Sequence, residues 1–153
     1  MQSLQLDLER ASRYTIFQGI SQHELVHILE RGTISKVSRG EKIFCKGCSG
    51  NQLFILLDGV IGIYSDDKFI AKIKAGDAFG EMAVLNKKPR SATATATTEV
   101  QLLTLDEALI NDILGKEGAV RFLLNIIRLL SYRLEAGNAW ISADIESRRQ
   151  GEV

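Results

Sequence analysis

A chain of 153 residues is long enough for one compact domain with a real core and too short for two. Hydrophobic residues at 45% and charged residues at 25% are ordinary for a globular protein and exclude disorder except at the ends. Lys plus Arg equals Asp plus Glu at 19 each, so no basic excess marks the chain for duplex nucleic acid, and none is expected as a partner.

The opening residues, Met1-Gln2-Ser3-Leu4-Gln5, lack a basic region followed by an apolar stretch, so no secretory signal is visible. Residues 3–30 read as helical, with Leu4, Leu6, Leu8, Tyr14, Ile16 and Phe17 giving a loose apolar face. Ser21 is placed to cap a second helix from Gln22 to about Glu30, with Glu24 at the capping-box spacing and a stop near Gly32. That helix also contains His23-Glu24-Leu25-Val26-His27, a formal zinc-hydrolase motif in which two histidines on one face grip the metal and the glutamate acts as base. The chain has no third histidine, Glu24 already serves the cap, and the extended metzincin pattern fails at Glu30 and Thr33, so no metal site is expected.

From Thr33 the period shortens. β-favouring runs at 33–38, 42–45, 53–57, 60–64, 69–73, 91–98 and 100–105 are separated by glycine or aspartate turns. Asp58-Gly59 between two apolar runs predicts a hairpin, and further turns are expected at Arg39-Gly40, Asp66-Asp67 and Ala75-Gly76-Asp77. Short strands with glycine turns argue for a sandwich, roll or barrel. A metal-dependent roll would need histidines on its strands, and these strands hold none. Cys45 and Cys48 fall in a turn between strands, without the strand–helix setting of a redox motif or the second pair a zinc site wants, and read as reduced and structural.

After the strands Asp106 caps a short helix over 107–114, ended by Gly115. A longer helix is expected over 117–135, with Val120, Leu123, Leu124, Ile127, Leu130 and Leu134 at spacings of three and four and Ile126 and Leu129 widening the stripe. That stripe is broader than one helix needs to dock, so a homodimer through helix 117–135 is expected. The polar residues 146–153 read as a loosely ordered tail. No apolar run, including Leu53 to Leu57 and the broken run from Phe122 to Leu130, approaches a membrane span, so no membrane partner is expected and the expected compartment is the cytoplasm.

Within the strand region one segment concentrates chemistry: Phe79-Gly80-Glu81-Met82-Ala83-Val84-Leu85, then Asn86-Lys87-Lys88-Pro89-Arg90-Ser91-Ala92-Thr93. Arg90 can give two parallel hydrogen bonds to the oxygens of one phosphate, which a lysine cannot. Glu81 offers acceptors for a sugar hydroxyl, and Gly80 lets backbone approach closely. A short helix over 81–85 would aim free N–H groups, Ala83 among them, at an anion, and Ser91 adds a hydroxyl beside the arginine.

This segment resembles the phosphate-binding cassette of cyclic-nucleotide-binding domains, the sensor type found in the catabolite activator protein and in protein kinase A regulatory subunits. Gly40-Glu41-Lys42-Ile43-Phe44, Leu53-Phe54-Ile55-Leu56-Leu57-Asp58-Gly59 and Gly76-Asp77-Ala78-Phe79-Gly80-Glu81 extend the resemblance over roughly residues 12–140. It implies a mainly β fold, an antiparallel β-roll (jelly-roll) with N-terminal helices and a long C-terminal helix. The layout is a single domain over 1–153: helices in 1–32, a roll over 33–105 carrying the cassette 79–93, C-terminal helices in 106–145 and the tail.

The resemblance implies a ligand site of Phe79, Gly80, Glu81, Met82 and Ala83 along the ribose and phosphate, Arg90 and Ser91 on the phosphate, and Ala92 beside them. It also implies that Asn138 on the last helix lies near the base. The function implied is that of a regulatory sensor, not an enzyme, binding a 3′,5′-cyclic mononucleotide without a cofactor, cAMP favoured over cGMP. Binding would be transmitted through the C-terminal helix to a downstream protein the sequence does not identify. With the site empty, Arg90 and the cassette N–H groups are expected to be unpaired. The alternatives are a nucleotide-free protein-interaction module of the same fold and the zinc hydrolase built on His23-Glu24-x-x-His27.

Overall fold

The computed structural model describes residues 2–81, 87–116 and 118–151. The helical stretch expected over residues 3–30 divides ahead of Gln22, where Ser21 was expected to cap a second helix. α1 covers Gln2–Ser12, a 3-10 turn follows at Thr15–Phe17, and α2 covers Gln22–Arg31. The Ser21 hydroxyl accepts from the Glu24 N–H at 3.2 Å, as its capping position predicts, and Gly32 ends α2. Leu25, Ile28 and Leu29 of α2 are buried at the three-and-four spacing of one helix face.

Among the described residues eight strands follow: β1 (Thr33–Val37), β2 (Lys42–Phe44), β3 (Leu53–Asp58), β4 (Val60–Ser65), β5 (Lys68–Lys74), β6 (Ala78–Phe79), β7 (Thr93–Ala96) and β8 (Val100–Leu105). All seven expected runs are strands, and β6 was not foreseen because two residues are too short to carry a period. The strands form two four-stranded antiparallel sheets, one in the order β1-β8-β3-β6 and the other β2-β7-β4-β5. Apart from the β4–β5 pair, successive strands pass back and forth between the sheets, which makes the expected roll.

Asp58-Gly59 is not a hairpin. β3 and β4 lie in different sheets, and the dipeptide is the corner between them: Asp58 still pairs with Gln101 of β8, while Val60 pairs with Lys74 of β5. Gly59 takes φ +94°, and a Cβ there would lie 2.4 Å from the Glu99 carbonyl oxygen, so both its backbone and its surroundings demand glycine. The tight hairpin is β4–β5, where Asp66 (φ 50°) and Asp67 (φ 66°) occupy a two-residue loop flanked by the Ser65–Lys68 pair, as a type I′ turn requires.

β3 is apolar from Leu53 to Leu57 because both of its faces are covered there. Leu53, Ile55 and Leu57 join Leu103 and Leu105 of β8 in a cluster under the helices. Phe54 and Leu56 join Val100 and Leu102 in a second cluster between the sheets, with Ile61, Ile73 and Phe79. The period of two along a strand thus sends alternate side chains into two cores.

Asp106 caps α3 (Glu107–Leu114) through a 2.8 Å bond from the Leu109 N–H. α4 runs over Ala119–Gly151, so most of the segment expected as a loose tail is helical. Residues 141–149 contain neither glycine nor proline to stop a helix already formed. Glu117 lies outside the described residues. α4 docks with Phe122, Asn125, Ile126 and Leu129, while most of the expected stripe faces outward: Val120, Leu123, Leu124, Ile127 and Leu134 are all exposed. Asn125 is fully buried and donates from Nδ2 to the carbonyls of Ile16 and Gln18 at 2.9 Å each, tying α4 to the 3-10 turn. Among the described residues, no helix is long and apolar enough to cross a membrane.

Candidate ligand-binding site

Arg90 sits at the end of the loop that leads into β7 and is 5% exposed. Its backbone is clamped to the β2–β3 turn: the Arg90 N–H donates to the Cys48 carbonyl and the Gly47 N–H to the Arg90 carbonyl, both at 2.8 Å. Its guanidinium donates from Nη1 to the Gly80 carbonyl at 2.9 Å and from Nη2 to the Gln52 carbonyl at 3.0 Å. The Phe44 ring lies under it, 4.5 Å from Cζ to the centroid, and Phe54 lies at 5.5 Å. Arg90 is therefore not unpaired, contrary to the expectation for an empty site. A buried guanidinium left without acceptors would cost too much, and these two carbonyls meet that need. A guanidinium carries more donors than two carbonyls use, so capacity for an anion is left over.

Burial lowers the Arg90 pKa, and the nearby Glu81 carboxylate raises it. Gly80, at φ +81°, brings its carbonyl to Arg90; a Cβ there would be 2.6 Å from Nη1 and 3.2 Å from the Phe54 ring. No L side chain fits between them. Gly50 gives similar clearance on the other flank, with Nη2 2.9 Å from where its Cβ would be.

Glu81 faces the last helix as well as Arg90. Its Oε1 lies 3.4 Å from Nη1 of Arg133 on α4, and Nη2 of Arg133 donates to the Ala78 carbonyl. The two side chains are mostly covered, 14% and 27% exposed, which shields the pair from solvent screening. Arg133 continues the docked face of α4, since Phe122, Ile126, Leu129 and Arg133 follow at spacings of four, three and four.

The structure thus brings Gly80, Glu81 and Arg90 together. Phe79 is adjacent, but its ring is 2% exposed and stacks on Phe54 at 5.3 Å within the roll, leaving backbone rather than side chain for a ligand. Ser91 is exposed and Ala92 half-buried beside Arg90. Met82 and Ala83, with the expected short helix over 81–85, lie outside the described residues beyond Glu81 itself, as does the side chain of Asn138 on α4. Sequence reasoning missed Arg133, Gln52 and Phe44. The first carried a signal, being a cation in register with the docked apolar face; the others act through a carbonyl and a ring face that no motif encodes.

The zinc motif is otherwise engaged. His27 Nε2 lies 3.0 Å from Asp112 Oδ2 on α3, and Arg31 donates to the same oxygen at 2.7 Å. The Glu24 carboxylate is packed on Gly118, 2.4 Å from where a Cβ would be, and His23 is exposed. Among the described residues, no group of three or more His, Cys, Asp or Glu is placed to hold a metal.

The family of cyclic nucleotide-binding domains matches residues 34–117, more than half of the chain and all of the roll but its first residue. The chain belongs to that family. A cAMP-dependent protein kinase regulatory subunit of Hypocrea atroviridis is 30% identical over 107 residues, 69% of this chain and 23% of the relative. A cyclic nucleotide-gated potassium channel of Rhizobium etli is 37% identical over 90 residues, 59% of this chain and 25% of the channel. The chain therefore spans about a quarter of these curated relatives. The solved cyclic nucleotide-binding domain of Methylobacillus flagellatus superimposes with a TM-score of 0.80 at 21% identity, over 94% of this chain and 84% of that one, a likeness of fold. The family's antiparallel roll, helical N-terminus and long last helix are all present here.

Proposed function

We propose that this domain is a regulatory sensor that binds a 3′,5′-cyclic mononucleotide, cAMP in preference to cGMP, without catalysing its conversion. The observation that carries the reading is Arg90: a guanidinium buried at 5% exposure, held from both its backbone and its tip, within the field of the Glu81 carboxylate. The ring phosphate takes the spare donors of Arg90, the 2′-hydroxyl donates to Glu81, and Ser91 and the cassette N–H groups complete the phosphate shell. The preference for cAMP draws on the cAMP-dependent kinase relative.

Transmission runs through Glu81 to Arg133. A ribose hydroxyl on Glu81 changes what Arg133 meets, and with it the packing of α4 on the roll. Asn138, about one and a half helical turns beyond Arg133, is the residue of α4 we assign to the base. A second copy of the chain is the partner we assign to the exposed face of α4. The downstream protein is a separate partner.

Titration calorimetry with cAMP and cGMP tests the reading, supported by melting curves. Ligand at about a hundredfold over its Kd stabilises by about 2.7 kcal/mol, which for a domain of this size raises Tm by roughly 5–10 °C. No heat and no shift with either nucleotide at millimolar concentration would instead favour the nucleotide-free interaction module. In that module the carbonyl bonds of Arg90 would be purely architectural.

A further inference from the structure

We propose that Cys45 and Cys48 are a thiol–disulfide pair whose state reaches Arg90 through the turn they flank. The consequence for nucleotide affinity rests on the reading of Arg90 given above; the sulfur chemistry does not. The Cys48 N–H donates to the Cys45 carbonyl at 3.2 Å, closing a β-turn in which Gly47 takes φ +84° at the third position, as a type II turn requires. The first and fourth Cα atoms of such a turn lie within about 7 Å, and a disulfide spans about 4.4–6.8 Å between Cα atoms. Both thiols are free; Cys48 is exposed and Cys45 half-buried.

The same turn grips Arg90. The Cys48 carbonyl accepts from the Arg90 N–H, the Gly47 N–H donates to the Arg90 carbonyl, and the Lys46 N–H donates to Thr93 Oγ1 at 3.0 Å on the strand that Arg90 leads into. The strand that follows the turn starts just after Gln52, whose carbonyl holds the guanidinium. A sulfur bridge across the turn therefore restrains the peptide units that set the position of Arg90. With strands on either side of it, the pair acts on its own domain rather than as an exchange catalyst for others. In a reducing compartment a bridge of this kind is transient, as expected of a sensor.

The oxidant is a low-molecular-weight disulfide such as oxidised glutathione. Cys48 gives up its proton, and its thiolate attacks one sulfur of that disulfide, forming a mixed disulfide and expelling one thiolate. Cys45 gives up its proton in turn and attacks the Cys48 sulfur, forming the internal bridge and expelling the second thiolate. The expelled thiolates take up the two protons. The cysteine pair loses two electrons and the small disulfide gains them.

The test treats the folded chain with oxidised glutathione and then dithiothreitol, following intact mass and amide hydrogen exchange. The expected product has lost two hydrogens and retains no glutathione, and dithiothreitol reverses it. The Arg90 amide exchanges severalfold more slowly in the oxidised form, and Cys45→Ser traps one glutathione on Cys48. The dissociation constant for cAMP differs severalfold between the two forms, but not in a Cys45→Ser, Cys48→Ser double variant. A glutathione adduct that persists on the unsubstituted chain overturns the proposal, as does a bridge that leaves Arg90 exchange unchanged. If the bridge forms and slows Arg90 exchange while cAMP binds neither form, the nucleotide reading fails and the sulfur pair stands.

Discussion

At the scale of single residues, Arg90 has two jobs. It neutralises the phosphate we assign to the site, and it satisfies the Gly80 and Gln52 carbonyls. Arg90→Ala removes both. Loss of a buried charge partner costs about 2–5 kcal/mol, so cAMP affinity should fall more than tenfold in calorimetry. Melting should also come earlier, since buried acceptors left unpaired cost about 1–3 kcal/mol. Affinity that survives the substitution would move the phosphate elsewhere. Glu81→Gln should keep most of the phosphate affinity and erode the preference for cAMP over its 2′-deoxy analogue, measured by competition. An unchanged preference would remove Glu81 from the ribose. The three residues that the structure brings together, Gly80, Glu81 and Arg90, were legible in the sequence because the phosphate and ribose we propose for the site each ask for a particular residue type. The partners of Arg90 were not, because backbone carbonyls leave no mark on residue identity.

At the scale of elements, the two faces of α4 are both apolar, and composition alone does not say which one docks. The stripe read from the sequence is largely the one left outside, at 68% exposure for Val120 and 56% for Ile127. The docked face is marked by two polar residues, Asn125 and Arg133, which a search for apolar periodicity passes over. Val120, Leu124, Ile127 and Leu134 fall at spacings of four, three and seven, a seam suited to a second helix. Light scattering should give the mass of two chains, and Ile127→Glu the mass of one with nucleotide affinity retained. A wild-type mass of one chain with and without nucleotide would remove the dimer. The Asp58-Gly59 corner teaches a related lesson. The dipeptide reports a local φ, but the partner of the next strand is decided by residues far along the chain, Lys74 and Ala96 among them.

At the scale of the whole molecule, the His27–Asp112–Arg31 cluster joins the N-terminal helices to α3. The Asp112 carboxyl is held below its usual range, first by its hydrogen bond with His27 and then by the charges of Lys116 and Arg31. A depressed carboxyl stabilises the folded state fully above its unfolded pKa, and that contribution is lost as pH falls through the folded value. Asp112→Asn should therefore lower Tm at neutral pH by more than it does in acid near about pH 3, below the ordinary range of an aspartate. An equal effect at both values would show that the charge of Asp112 does not help to hold α2 to α3. The overall architecture was legible from the change of period at Thr33 and back at Asp106. The division into two sheets was not, because it depends on which strands meet.

Two adjacent strands, β3 and β8, form a party wall between the helical cap and the interior of the roll. Neither compartment has a lining of its own there. Remodelling one of them for a new ligand would disturb the other through the shared backbone. Variation in this domain should therefore gather in the loops at the wall's ends, where Gln52 and Gly80 already stand.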